Sequence, residues 1–171
     1  EIAMHQLGGN VSILEQEKTH LGRGETIPDT ARVLSRYIDI IVYRTDSALK
    51  LYELAKYSNV PVINGLNDDS HPCQLLADIM TFEENLGMIQ DKTVTWCGDF
   101  NNVCKSWVQA ADIFNFNLHL ACPKELIGKK GMISIKKSKN IKIFESALDA
   151  TKKSDCIMTD TWFSMGQKVS Q

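Results

Sequence analysis

The chain has no Cys-x-x-Cys pair and an odd number of cysteines, Cys73, Cys97, Cys104, Cys122 and Cys156, which argues against both a disulfide framework and a zinc site. Cys97, Cys122 and Cys156 each fall in an apolar, strand-like run and read as small buried hydrophobes. No apolar run approaches the roughly 18 residues of a membrane span, and no basic start followed by an apolar core marks a signal peptide. A cytoplasmic protein without membrane contact is therefore expected. With a net charge of −2 and a pI near 6.1 there is no global pull toward nucleic acid. The lysine-rich stretch 124–153 has no arginine, and its lysines alternate with Glu125, Glu145 and Asp149, so it reads as a solvated face. No internal repeat or low-complexity linker interrupts the chain.

What is present is an alternation of strand-length apolar runs with helix-length stretches, across 171 residues of which 43% are hydrophobic. That pattern builds parallel sheets covered by helices. Strands are expected at 38–43, 60–63, 93–97, 118–122, 141–144 and 156–158. Helices are expected at 46–57, from about 71 to a stop at Gly87, at 103–114 and at 147–153. Ser70 or Asp69 is positioned to cap the second of these helices, with Pro72 in its first turn. The fold class expected is α/β, two doubly wound parallel-sheet half-domains joined by a helix: 1–70, the connecting helix 71–90, and 91–171. Arg44, Asn102 and Asp160 each follow a strand end, where open α/β sheets bind ligands.

Three segments carry candidate chemistry. Asp160-Thr-Trp-Phe-Ser-Met-Gly166 gathers an acid, a hydroxyl and a flexible turn, a cluster that suits a small ligand with an amine. Gly98-Asp-Phe-Asn-Asn102 lacks the second and third glycines of a dinucleotide-binding turn, which counts against a nicotinamide-dependent oxidoreductase. Its asparagines are placed to cap a helix or to bond a bound carboxylate. Capping is expected of Asn101, and Asn102 is expected to face a ligand. His71-Pro-Cys-Gln74 puts a histidine at a helix start, where the helix dipole disfavours the imidazolium. A neutral ring there can donate one hydrogen bond to a carbonyl oxygen as negative charge develops. Gln74, on the same turn, offers an amide that can read an amino group.

These residues, in this order, resemble the aspartate and ornithine carbamoyltransferases, over essentially the whole chain. His20-Leu-Gly-Arg-Gly-Glu25 followed by Asp29-Thr-Ala-Arg-Val-Leu34 looks like the family's loop and following helix. Arg44 falls at its carbamoyl-polarising arginine, and His71-Pro-Cys-Gln74 looks like its His-Pro-x-Gln signature. Asp160-x-x-x-Ser164-Met165-Gly166 resembles the ornithine-binding loop, where aspartate enzymes carry an arginine-containing segment. Putrescine carbamoyltransferases resemble the chain elsewhere but differ in the Ser-Met-Gly segment. The resemblance implies carbamoyl transfer from carbamoyl phosphate to the δ-amine of L-ornithine, giving citrulline. It implies Arg44, His71 and Gln74 on carbamoyl phosphate, and Asn102, Asp160, Ser164 and Met165 on ornithine. No metal or organic cofactor is implied. It further implies a homotrimer with shared sites, His20 reaching into a neighbour's carbamoyl phosphate site, against the competing reading of an exposed loop histidine.

Two family segments are not in the sequence, the Ser-Thr-x-x-Arg phosphate-binding segment and the His-Cys-Leu-Pro segment. The expectation is a partial sequence, inactive in isolation. A truncated, non-catalytic relative serving as a binding module is the alternative of a different class.

Overall fold

The computed structural model describes residues 1–15 and 24–161. By contacts the chain forms two compact units: Glu1–Ile41 with Leu49–Ile63, and Val42–Ala48 with Asn64–Gln171.

The first unit is mainly helical. Helix α1 spans Ile2–Gln6, α2 Ile27–Leu34 and α3 Ala48–Tyr57. Thr26 starts α2 by accepting a bond from the Asp29 N–H at 3.3 Å, with Pro28 where its missing N–H costs nothing. Among the unit's described residues, Ala31, Leu54 and Ile41 are buried. Ser35 Oγ donates to the Ala31 carbonyl at 2.6 Å and accepts the Asn59 N–H at 2.9 Å, tying the end of α2 to the turn after α3.

Strands β1, Ile41–Arg44, and β2, Val62–Leu66, pair as a two-stranded sheet. The Ile41 N–H bonds the Pro61 carbonyl and the Thr45 N–H bonds the Leu66 carbonyl, so both strands end at the same level, at Arg44 and Leu66. Gly65 is required there, since a Cβ would meet Val42 Cγ1 at 3.2 Å and the Tyr43 carbonyl oxygen at 3.4 Å.

In the second unit, β3 (Thr93–Cys97), β4 (Asn117–Ala121), β5 (Ile141–Ile143) and β6 (Cys156–Met158) form one parallel sheet in the order β5-β4-β3-β6. Being central, β3 is covered on both faces, and Val94, Thr95 and Trp96 are all buried. Thr95 is tolerated there because its hydroxyl donates to the Ala150 carbonyl at 3.0 Å. Helix α4 (Pro72–Leu86) contributes Leu75, Ile79 and Phe82 to the core, and α5 (Asn102–Ile113) contributes Cys104, Trp107, Val108, Ala110 and Ala111. Trp107 meets Phe116 edge-to-face at 5.6 Å between centroids, an arrangement worth about 0.5–1.5 kcal/mol beyond the area it buries.

The expected α/β alternation is present, with element limits shifted by a few residues. Residues 124–137, read from the sequence as a solvated lysine-rich face, form α6 (Lys124–Lys137), bent at Gly128, where φ is 65°. Its Ile127 and Ile135 are buried in the core, two apolar contacts too sparse to stand out among the lysines. A short helix α7, Ala147–Thr151, is capped by the Ser146 side chain. The expected cap of α4 is corrected. His71 occupies the N-cap position with no side-chain cap bond. Ser70 and Asp69 are instead held in a turn, both backbone N–H groups donating to Asn67 Oδ1 at 2.8 Å.

Candidate active site

Strands β4 and β5 lie on one side of β3 and β6 on the other. The chain therefore reverses its winding between β3 and β6, and a crevice opens where the loops after those strands part. A cleft of about 410 Å³ lies there, lined by Trp96 of β3, Met158 at the end of β6, Leu66 at the end of β2, and the polar side chains of His71, Gln74, Asp78, Asn101, Asn102 and Asp160. That volume is in the range of about 300–1,000 Å³ usual for small-molecule sites. All of these residues belong to the second unit.

Two helix starts border the cleft. At α5, Asn101 Oδ1 accepts the Cys104 N–H at 3.0 Å and its Nδ2 donates to Asp160 Oδ2 at 2.7 Å. The Asp160 Oδ1 accepts the Thr161 N–H at 2.8 Å. One asparagine therefore caps the helix and holds the acid after β6. Asn102, expected to face a ligand, lines the cleft with both ends of its amide engaged: Nδ2 donates to the Asn67 carbonyl at 2.9 Å and Oδ1 accepts the Val103 N–H at 3.0 Å.

At α4, the His71 N–H donates to Ser106 Oγ at 2.8 Å, and that hydroxyl donates to the Asn102 carbonyl at 2.8 Å. Ser106 is buried and joins the backbone of one helix start to the other. Burial, then the Arg44 guanidinium, lower the His71 pKa below its ordinary 6.5, against Asp78 and Asp160, which raise it. Among the described residues the buried His71 Nδ1 has no hydrogen-bond partner.

Gln74 Nε2 donates to Asp78 Oδ1 at 2.7 Å. Burial raises the Asp78 pKa above its ordinary 3.8, against the Gln74 bond and His71, which lower it. Arg44, the last residue of β1, is exposed and does not line the cleft. It acts on His71 through its charge. His20, Ser164 and Met165 lie outside the described residues.

Asp78, Asn67 and Ser106 were not singled out from the sequence. Asp78 stands four residues after Gln74 on one helix face, a spacing that was legible. Ser106 and Asn67 act through contacts 35 residues away along the chain, which no local pattern signals. Among the described residues no group of three or more His, Cys, Asp or Glu side chains comes together as a metal site.

The fold and the cleft are those of an α/β protein with a small polar site at the carboxyl ends of its strands, in which His71, Gln74 and Asp160 line one crevice. Residues 1–84 match the family model for the carbamoyl phosphate-binding domain of aspartate/ornithine carbamoyltransferase, and residues 90–171 match that for its aspartate/ornithine-binding domain. The chain belongs to the aspartate/ornithine carbamoyltransferase family. Within it, the chain is 50% identical over 170 residues to the ornithine carbamoyltransferase of Nitrobacter winogradskyi, covering 98% of this chain and 55% of that protein. It is also 50% identical to that of Rhodopseudomonas palustris, covering 98% and 54%. The crystal structure of ornithine carbamoyltransferase from Burkholderia thailandensis aligns at a TM-score of 0.88 with 41% identity, over 95% of this chain and 56% of that one. That from Pyrococcus furiosus aligns at 0.87 with 41% identity, over 99% and 56%. The chain spans about half the length of the curated relatives it matches.

Proposed function

We propose that the protein to which this sequence belongs transfers the carbamoyl group of carbamoyl phosphate to the δ-amine of L-ornithine, giving L-citrulline and phosphate. The observation that carries this reading is the meeting, in one cleft, of His71 and Gln74 from the start of α4 with Asp160 held by Asn101 at the start of α5. One side suits a carbonyl with an amino group, the other an ammonium.

In the proposed mechanism carbamoyl phosphate binds first. Arg44 and His71 polarise its carbonyl oxygen, and Gln74 accepts from its amino group. Asp160, with Ser164, receives the α-ammonium of ornithine, while Asn102 and the backbone near Met165 place the amino-acid end. The uncharged δ-amine attacks the carbonyl carbon, negative charge collects on the oxygen facing Arg44 and His71, and the C–O bond to phosphate breaks. Orientation and oxyanion stabilisation supply the catalysis. A neutral His71 suits this role, because it donates without itself changing charge.

The division of labour proposed is carbamoyl phosphate binding in 1–70, connection through 71–90 and ornithine binding in 91–171. A homotrimer with shared sites, in which His20 reaches a neighbour's carbamoyl phosphate, and a cytoplasmic setting belong to the same proposal. Among the described residues no helix is long and apolar enough to cross a membrane. The test is citrulline formation by the protein as its own reading frame encodes it, with ornithine, aspartate and putrescine as parallel acceptors. Selective turnover of ornithine is expected; preference for another acceptor, or none for any, overturns the reading.

A further inference from the structure

An exposed glutamine amide can present either its oxygen or its nitrogen, and which one it presents decides what it recognises. Gln74 is such an amide, and in this structure one bond decides between the two ends. Its Nε2 donates to Asp78 Oδ1 at 2.7 Å, and both side chains line the cleft beside His71. An ionised carboxylate only accepts hydrogen bonds, so the end of Gln74 that faces Asp78 must be the NH₂ group, and Oε1 is the end left over. The partners stand four residues apart on α4, whose opposite face is locked in the core by Leu75, Ile79 and Phe82. The tether thus belongs to a rigid element and is made by a charge-assisted bond, roughly twice as strong as a neutral one.

We infer that Asp78 is a positioning residue that makes Gln74 an obligatory acceptor, so that the site selects an acyl phosphate bearing an amino group over one bearing a methyl group. This rests on the carbamoyl transfer proposed above. A carboxylate near an anionic substrate works against binding it, so its place in the cleft needs a role other than affinity. Carbamoyl and acetyl phosphate have nearly the same shape, and only the first offers N–H groups to Oε1. A site that presents a fixed acceptor gains a hydrogen bond from the substrate that carries the N–H and loses it with the analogue that lacks one. An amide free to turn would discard part of that. If the contact were only surface support for the helix, its loss would not move substrate preference.

The experiment compares kcat and KM for carbamoyl and acetyl phosphate, with ornithine as acceptor, in the full encoded protein. In either reaction the δ-amine bonds the acyl carbon, phosphate leaves with the electron pair of the broken C–O bond, and the amine proton goes to solvent. Three variants are measured beside the wild type: Asp78→Leu, Gln74→Glu, and Gln74→Glu with Asp78→Asn. Asp78→Leu is expected to raise the KM for carbamoyl phosphate and narrow the carbamoyl-over-acetyl preference, each by about 10-fold, with the KM for ornithine unchanged. Gln74→Glu sets two carboxylates against each other and is expected to lose about 100-fold in kcat/KM. The double variant is expected to regain at least about 10-fold, because the amide introduced at position 78 can then donate to one oxygen of residue 74 and leave the other as the acceptor.

An unchanged preference in Asp78→Leu, or a double variant no better than Gln74→Glu, overturns the inference. The Gln74 side-chain NH₂ resonances of labelled protein report the tether without turnover, and they should move in Asp78→Leu. A wild type that binds neither acyl phosphate and makes no citrulline fails the proposed function and takes the inference with it. A wild type that makes citrulline while the double variant stays inactive fails the inference alone.

Discussion

The two helix starts that border the cleft solve the same backbone problem differently. At α5, Asn101 satisfies an orphan N–H with its own side chain and still has a donor left for Asp160. At α4 the N-cap residue is His71, whose side chain caps nothing. Pro72 removes one of the orphan donors of that helix, and the His71 N–H finds a partner in Ser106, carried by the other helix. A missing side-chain cap costs about 1 kcal/mol. Helix α4 forgoes it and keeps an imidazole facing the cleft, while α5 has both capping and ligand placement from one residue. The α4 start is thus the more dependent of the two on tertiary contacts.

The largest effect should come from breaking the chemistry at α4. His71→Ser offers a side chain able to cap and removes the ring. Turnover by the full encoded protein should fall by about 10²-fold to 10³-fold, as for loss of one oxyanion donor, while stability to urea is unchanged or rises by up to about 1 kcal/mol. Arg44→Ala should lose turnover on the same scale. Activity within about 3-fold of wild type in either variant removes these residues from the mechanism.

Ser106→Ala cuts the link between the helix starts. It leaves a half-buried backbone N–H without its partner, at a cost of about 1 kcal/mol, and the loss should appear in the unfolding midpoint. Faster hydrogen exchange at His71, with exchange in the middle of α5 little altered, is the local sign. A variant as stable as wild type would show that the link is unused.

Asn101 can be dissected into its two functions. Asn101→Ala should cost about 0.5–2 kcal/mol, and Asn101→Ser, which keeps a cap but cannot reach Asp160, should recover most of it. In enzyme assays both should raise the KM for ornithine and leave that for carbamoyl phosphate nearly as it was. Equal stability of the two variants would argue that the cap is idle.

The smallest effect expected is on titration. The His71 ring, followed by its carbon-bound protons, should titrate below 6.5. Arg44→Ala should move it up and Asp78→Asn further down, according to the sign of each neighbour's charge. Because the folded value is depressed, the unfolded chain takes the proton first as pH falls. The stability from the neutral ring is complete above 6.5 and is lost as pH falls through the folded value. Asp78 runs oppositely. Its contribution is complete below 3.8 and is lost as pH rises through its raised value. A His71 titration at or above 6.5 would contradict the burial of that ring.

Much of this arrangement was legible in the order of residues. Strand β6 was expected at 156–158 and is found as Cys156–Met158, and β3 was expected at 93–97 and is found as Thr93–Cys97. Both are short β-branched or apolar runs between turn residues, signals carried by neighbours in the chain. Gly87 ends α4 as expected, with φ of 79°, a conformation glycine adopts freely. Less legible was α6, whose buried positions are few. Asn101 and Asn102 are chemically identical neighbours, and only the direction of the first turn of α5 sends one to Asp160 and the other to the Asn67 carbonyl.

The sequence by itself determined where strands and helices alternate, which polar residues follow strand ends, and the motifs that mark the carbamoyltransferase family, because each depends on residues a few positions apart. Only the tertiary structure decided that β6 lies beside β3, that Asn101 holds Asp160 across 59 residues of chain, and that Ser106 secures His71 across 35. Those choices depend on which strands share a ladder and which helix starts then face each other, and long-range packing selects among sheet orders that local pattern leaves equal.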